Sequence, residues 1–261
     1  MTLHPAAERQ GPASDALSAL IPRSVDVRMM RRDTVDLATT LRRLLMDHDL
    51  VILRDAPLDD EQLGLVGGML GEGCSEIKRF VVEGPTGSSG QGRWHHVGNL
   101  YDGRPCELTL MSIREFPSHG GEFELVSNRR AWSELTPEVQ HRLRALEVEH
   151  DFTSVRHTTA HPDDPSRKGT LPLVRDASPS HLLLGYHAAQ VVGMERETSD
   201  VLLSELMRHA TRPENVYRHA WQPNDVIAWH NLPLMHRTCG FEVAGRRVIH
   251  EVQVRVFDAQ I

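Results

Sequence analysis

Adjacent histidines at His95 and His96, and a third far downstream at His236, are the side chains of this 261-residue chain best suited to chemistry. Neutral imidazole is a good ligand for a divalent cation, and two rings brought together from distant strands can share one ion. Cys74, Cys106 and Cys239 are too widely spaced for a cysteine-rich zinc site and fit free thiols in a reducing compartment. There are sixteen histidines in all, and abundance by itself adds little to the case for a metal.

Such residues need strands to hold them. Leu37, Leu41, Leu44 and Leu45 recur at helical spacing after Asp36, and the run Leu50-Val51-Ile52-Leu53 reads as a buried strand. Asp59-Asp60-Glu61 opens a second helix whose inner face is Leu63, Val66, Met69 and Leu70, and Gly71 and Gly73 end it. A strand over 77–82 leads into a loop at 84–92 rich in glycine and serine, which delivers the chain into Trp94-His95-His96. That loop suits a lid over a site as well as it suits a surface turn.

Further strands are expected at 107–114, 122–126, 146–152, 171–174, 181–186, 217–221, 225–229 and 248–257, with helices from Asn128, from Thr136 and over 198–210. These elements do not repeat as βαβ units, so a mainly antiparallel barrel or sandwich with inserted helices is expected. A loose arm over 1–24 precedes a single domain over 25–261. No apolar run approaches the ~20 residues of a membrane span, and the first ten residues lack the order of a secretory signal, so a cytoplasmic location is expected. A net charge of −7 argues against a general nucleic-acid binder. The expected partner is a small-molecule substrate, with neither nucleic acid nor membrane involved and a homo-oligomer left open.

Trp221-Gln222-Pro223-Asn224-Asp225, then Trp229-His230-Asn231, then His236 resembles the taurine dioxygenase (TauD/TfdA) family of iron(II)- and 2-oxoglutarate-dependent oxygenases. The likeness continues upstream through Gly120-Gly121-Glu122, Glu149-His150-Asp151-Phe152, 171–175 and 209–214, and covers the chain from about Leu50 onward. It implies a double-stranded β-helix, or jelly-roll, holding Fe(II), 2-oxoglutarate and O2 at its open end. By the resemblance, His96 and His236 are the metal ligands and Arg247 pairs with the distal carboxylate of 2-oxoglutarate. Counting back from Glu115-Phe116-Pro117 and Gly120-Gly121 places the first ligand at His96, whereas the Trp-His pair alone favours His95. The longer ungapped stretch is followed, which leaves His95 beside the ligands or facing substrate.

Several residues depart from the family. Its first motif is His-x-Asp or His-x-Glu, but this chain reads His96-Val97-Gly98, and counting from His95 reaches Val97. The missing carboxylate vacates one metal position and one negative charge, which a bound anion would replace. His-x-Gly resembles the non-haem iron halogenases, where chloride fills that place and returns to a carbon radical after hydrogen abstraction. The expected activity is therefore chlorination of an unactivated C–H carbon in a small metabolite such as a natural-product intermediate. Asp102 or Glu122 supplying the carboxylate, or water in the gap, would instead give a hydroxylase. A catalytically silent binder on the same fold is the reading from a different class. Glu251 stands where relatives carry an arginine that grips an anionic substrate, so a cationic or amino-bearing substrate is expected. Phe123 replaces a cosubstrate-binding threonine, Asn99 and Trp229 are candidate pocket residues, and His230 sits beside the metal site or packs in a strand.

Overall fold

The computed structural model describes residues 19–21, 23–28, 33–73, 76–86, 92–96, 106–151 and 168–256. In chain order the elements are β1 (Ser24–Arg28), α1 (Thr34–Asp47), β2 (Leu50–Arg54), α2 (Asp60–Leu70), β3 (Gly71–Gly73), β4 (Lys78–Gly84), β5 (Leu108–Glu115), β6 (Phe123–Ser127), α3 (Asn128–Ser133) and α4 (Pro137–Leu143). They continue with β7 (Glu147–Asp151), β8 (Lys168–Pro172), β9 (Val174–Arg175), β10 (His181–Leu182), β11 (Ala188–Val191), α5 (Arg196–Ala210), β12 (Tyr217–His219), β13 (Val226–His230), β14 (Leu234–Thr238) and β15 (Gly245–Val256).

Both helices before β3 start where their acids sit. The Asp33 carboxylate accepts from the Asp36 backbone N–H, and Asp59 forms a reciprocal capping box with Gln62. Their apolar stripes, Leu37, Leu41, Leu44 and Leu45 on α1 and Leu63, Val66 and Leu70 on α2, bury against Val51, Leu53, Leu110, Val252 and Val254. Each such side chain contributes roughly 1.5–3 kcal/mol relative to exposure.

Those partners form the outer face of a sheet ordered β1-β2-β13-β5-β15-β3, with β4 also paired to β15. The β1–β2 ladder is parallel and the others are antiparallel. Because side chains alternate along a strand, the inner face carries Ile52, Met111, Ile113, Ile227, Trp229 and Ile249. Phe123, Leu125 and Leu234 of the smaller sheet β12-β6-β14 close over that face. The outer face of the smaller sheet is covered in turn by Trp94, Trp132, Leu203 and Leu206 among others. The expected β-rich barrel with inserted helices is therefore present, and no helix among the described residues is long and apolar enough to cross a membrane.

Trp221-Gln222-Pro223-Asn224-Asp225 proves to be a turn. Fully buried Asp225 accepts hydrogen bonds from Arg54 Nη1 at 2.5 Å and from the Gln222 N–H at 2.8 Å, with His219 Nε2 at 3.1 Å. Asn224 has a positive φ of 65°, a conformation asparagine tolerates better than most residues. The motif launches β13 and takes no part in the site itself.

Three expectations need correction. Ile21 is fully buried in the inner core and β1 begins at Ser24, so the loose arm cannot run to residue 24. Leu234–Thr238, unassigned in the sequence, is a strand buried on both faces and therefore lacks the polar alternation that would have marked it. Cys239 is a free buried thiol but Cys106 is disulfide-bonded, so the cysteines no longer argue for a reducing compartment.

Candidate metal centre

Strand β14 carries His236 on the inner side of the barrel. The short segment 92–96 joins it through an isolated antiparallel bridge, His95 N–H to His236 O at 3.1 Å and His236 N–H to His95 O at 3.0 Å. Directly opposed residues share a face, and the two imidazole centroids stand 4.4 Å apart at 52°. Neighbours in an extended backbone point to opposite sides, so His96 turns away. Its Nδ1–H donates to Asn231 O at 2.9 Å and lies 3.2 Å from Leu234 O, while its ring lies 5.5 Å from that of His187. The expected His96–His236 couple is not formed, and His95 takes that place.

Burial holds His236 well below the usual histidine pKa, with the neighbouring His95 and His96 rings adding to the effect, so it is neutral with lone-pair capacity at pH 7. Phe123 and Trp229 wall its ring at 5.1 and 5.3 Å, and its Nδ1 has no hydrogen-bond partner among the described residues. The Nδ1 of His95 lies 2.7 Å from Arg93 O, which fixes the proton there and leaves Nε2 as the electron-pair donor. Tyr186, which the sequence did not single out, edges onto His95 at 5.9 Å.

Two imidazoles, one of them with an unpartnered buried ring nitrogen, fit a borderline divalent cation such as iron(II). Among the described residues no third histidine, cysteine or acid joins them, so these side chains supply two ligand positions. Glu122 cannot complete the set. Phe123 faces inward with His236, so Glu122 and Glu124 on either side of it face outward. Gly98, Asn99 and Asp102 lie outside the described residues, as does much of the glycine-rich loop.

Further along the inner face, on β15, Arg247 and Glu251 are both buried. Arg247 Nη1 donates to Cys239 O at 2.6 Å, Phe241 flanks the guanidinium at 5.9 Å, and no carboxylate pairs with it among the described residues. The Gly120-Gly121 turn, with φ of 78° and 73°, seats Phe241 there: a Cβ on Gly120 would meet the Phe241 Cβ at 2.9 Å. Glu251 accepts from Gln253 Nε2 at 2.8 Å, and burial pushes its carboxyl pKa up. The two residues stand four apart on the strand, roughly 13 Å along the backbone, and form no ion pair with each other. His230 belongs to the outer face, where its Nε2 lies 3.0 Å from Leu45 O in α1.

His96 opens onto a second group of buried imidazoles, His150, His181 and His187, with His150 and His187 joined Nδ1 to Nδ1 at 2.8 Å. Burial lowers both His150 and His181 to about 3, with like charges nearby adding to it. In the unfolded chain histidine titrates near 6.5, so the unfolded state takes up protons first as pH falls. Stability is full above about 6.5 and is lost progressively towards pH 3. His150 and His181 alone should make the protein about 2 kcal/mol less stable to urea at pH 5.5 than at pH 6.5, about 1 per histidine; buried His96, His187 and His236 add to the loss in the same direction, and a flat profile would refute neutral burial.

The family model described as "Taurine catabolism dioxygenase TauD, TfdA family" matches residues 16–253. The 2,4-dichlorophenoxyacetate dioxygenase of Cupriavidus pinatubonensis is 29% identical over 161 residues, covering 58% of this chain and 56% of that protein. Pentalenolactone F synthase of Streptomyces arenae is 26% identical over 206 residues, 70% of this chain and 68% of that one. Among solved structures, AAD-2 in complex with Mn(II) and N-oxalylglycine superposes with a TM-score of 0.74 at 22% identity, covering 98% and 99% of the two chains. A taurine dioxygenase from Burkholderia xenovorans gives a TM-score of 0.71 at 19% identity over 91% and 89%. Both show the fold, a jelly-roll of the taurine dioxygenase kind.

Proposed function

Because the chain belongs to the TauD/TfdA dioxygenase family, we propose that it is an iron(II)- and 2-oxoglutarate-dependent oxygenase that hydroxylates a carbon of a small molecule. The observation that carries the reading is the inward-facing His95–His236 couple at 4.4 Å. Iron(II), 2-oxoglutarate and O2 together supply the power to break an unactivated C–H bond. The chain's own residues do the holding. His95 and His236 are the metal ligands, Arg247 receives the distal carboxylate of 2-oxoglutarate, and Phe123 and Trp229 keep water from the His236 ring. Glu251, with Gln253, is the group on the inner face able to receive an amino-bearing substrate.

Anaerobic titration with iron(II) and 2-oxoglutarate tests this: the weak visible charge-transfer band of a bidentate 2-oxoacid on iron(II) is expected. Its absence at saturating iron and cosubstrate would leave the silent-binder reading instead.

One observation favours chlorination as a second reading, the lack of an acid beside the two rings among the described residues. With His95 as ligand the residue two places on is Val97 and not Gly98, so the likeness to a His-x-Gly halogenase no longer supports it. Product mass in chloride and in bromide separates the two outcomes. The register has its own test. Val97→Asp should tighten iron(II) binding at least tenfold and favour hydroxylation, whereas Gly98→Asp should do neither; the reverse result would return the ligand to His96.

A further inference from the structure

The His95–His236 couple is held from behind. Trp94 and Arg237, the sequence neighbours of the two histidines, project from the outer face of the smaller sheet. There the Arg237 guanidinium carbon lies 4.5 Å from the Trp94 ring centroid. Arg237 Nε donates to Glu124 Oε2 at 2.6 Å, and Arg218 donates to Glu124 Oε1 from Nε at 2.9 Å and Nη2 at 2.6 Å. Arg218 and Arg237 are the direct cross-strand partners of Glu124 on β12 and β14. One row thus runs Arg218, Glu124, Arg237, Trp94 across three strands and onto the segment that carries His95.

That segment is tied through its backbone and through the His96 ring, which donates to Asn231 O and lies near Leu234 O. Its backbone is fixed by the two bonds of the His95–His236 bridge, by Gly92 N–H to Thr238 O at 2.8 Å and by Tyr186 N–H to Trp94 O at 2.9 Å. Trp94, the residue before His95, adds a side-chain anchor to these, so its seating bears on where His95 lies relative to His236. Trp94 sits on Arg237, and the grip of Glu124 on Nε helps to hold the planar fork of Arg237 against that ring. Glu124 is fully buried, and a carboxylate taken so far out of water costs several kcal/mol unless charged donors satisfy it. The two arginines do so and hold its pKa below the usual carboxylate range against the opposing effect of burial.

We propose that Glu124 is a positioning residue for the metal site: through Arg237 and Trp94 it sets the spacing and tilt of His95 against His236. This rests on the reading of the two histidines as metal ligands.

The test uses the full chain, with cobalt(II) as the probe under anaerobic conditions and with NMR of the histidine rings in metal-free protein. Glu124→Gln keeps the shape and removes the charge, and Arg237→Lys keeps the charge and removes the flat stacking surface. Glu134→Gln weakens an arginine–carboxylate cluster with Arg130 and Arg212 elsewhere and controls for general loss of stability. Glu124→Gln and Arg237→Lys should each lower cobalt affinity about 10- to 100-fold and shift the cobalt d–d spectrum, in line with the loss of groups that orient metal ligands. Both should also weaken the ring-to-ring NOE between His95 and His236, while Glu134→Gln changes none of these. If the parent binds cobalt and both variants bind it equally well with the same spectrum, the positioning role is wrong; equal losses in Glu134→Gln refute it too. If the parent does not bind cobalt, the metal reading fails, and the metal-free NOE still decides whether Glu124 sets the geometry of the rings.

Discussion

Replacing His236 or His95 with alanine should abolish the charge-transfer band and cut metal affinity by more than about 100-fold. Removing a partner that merely orients a ligand already costs about 10–100-fold, and here one of the two proposed protein ligands is lost. His96→Leu separates the two possible registers. His96 donates to the carbonyls of Asn231 and Leu234 from inside the second core, so leucine strands those acceptors and costs roughly 1–3 kcal/mol of stability. The band should nevertheless survive at temperatures where the variant is folded. A variant that is folded but colourless would make His96 the ligand and would require the segment 92–96 to turn over.

Arg247→Met should weaken 2-oxoglutarate binding by about 2–4 kcal/mol, or roughly 30- to 1000-fold, as expected when a buried charge-assisted contact loses its cation. The same change should leave the cosubstrate-free protein as stable as the parent or more so. Arg247 is buried against Phe241 and two backbone carbonyls with no acid among the described residues to offset it, and burial lowers its pKa. Replacing an uncompensated buried charge by an apolar side chain of similar length relieves a desolvation cost. Isothermal titration with 2-oxoglutarate and thermal melts of the metal-free protein measure the two halves separately. An arginine held for structure would show the opposite pattern, with lower stability and unchanged cosubstrate affinity.

Much of the fold could be read from local pattern. The run Leu50–Leu53, the acids before α2, the Thr136-Pro137 start of α4 and the helix ending at Ala210 each fall where the sequence puts them, because capping and periodicity act within a few residues. Strand β14 was not legible, because a strand packed between two cores shows no alternation. Which of the two adjacent histidines faces His236 was hidden for a different reason. His95 and His96 are chemically identical, and which one faces inward is decided by the bridge to His236, a contact between residues far apart in sequence. Glu124 was likewise invisible: its role comes from arginines on two neighbouring strands, not from any spacing along the chain.

The ordering of the large sheet bears on how the chain is made in the cell. Strand β5 lies between β13 and β15 and bonds to no other strand among the described residues, yet both neighbours are synthesised over a hundred residues downstream. At roughly 5–20 residues per second, its two apolar faces and unbonded edges wait for several seconds or more at the ribosome. Translation speed and chaperone supply should therefore govern the yield of this protein more strongly than small changes in its final stability do.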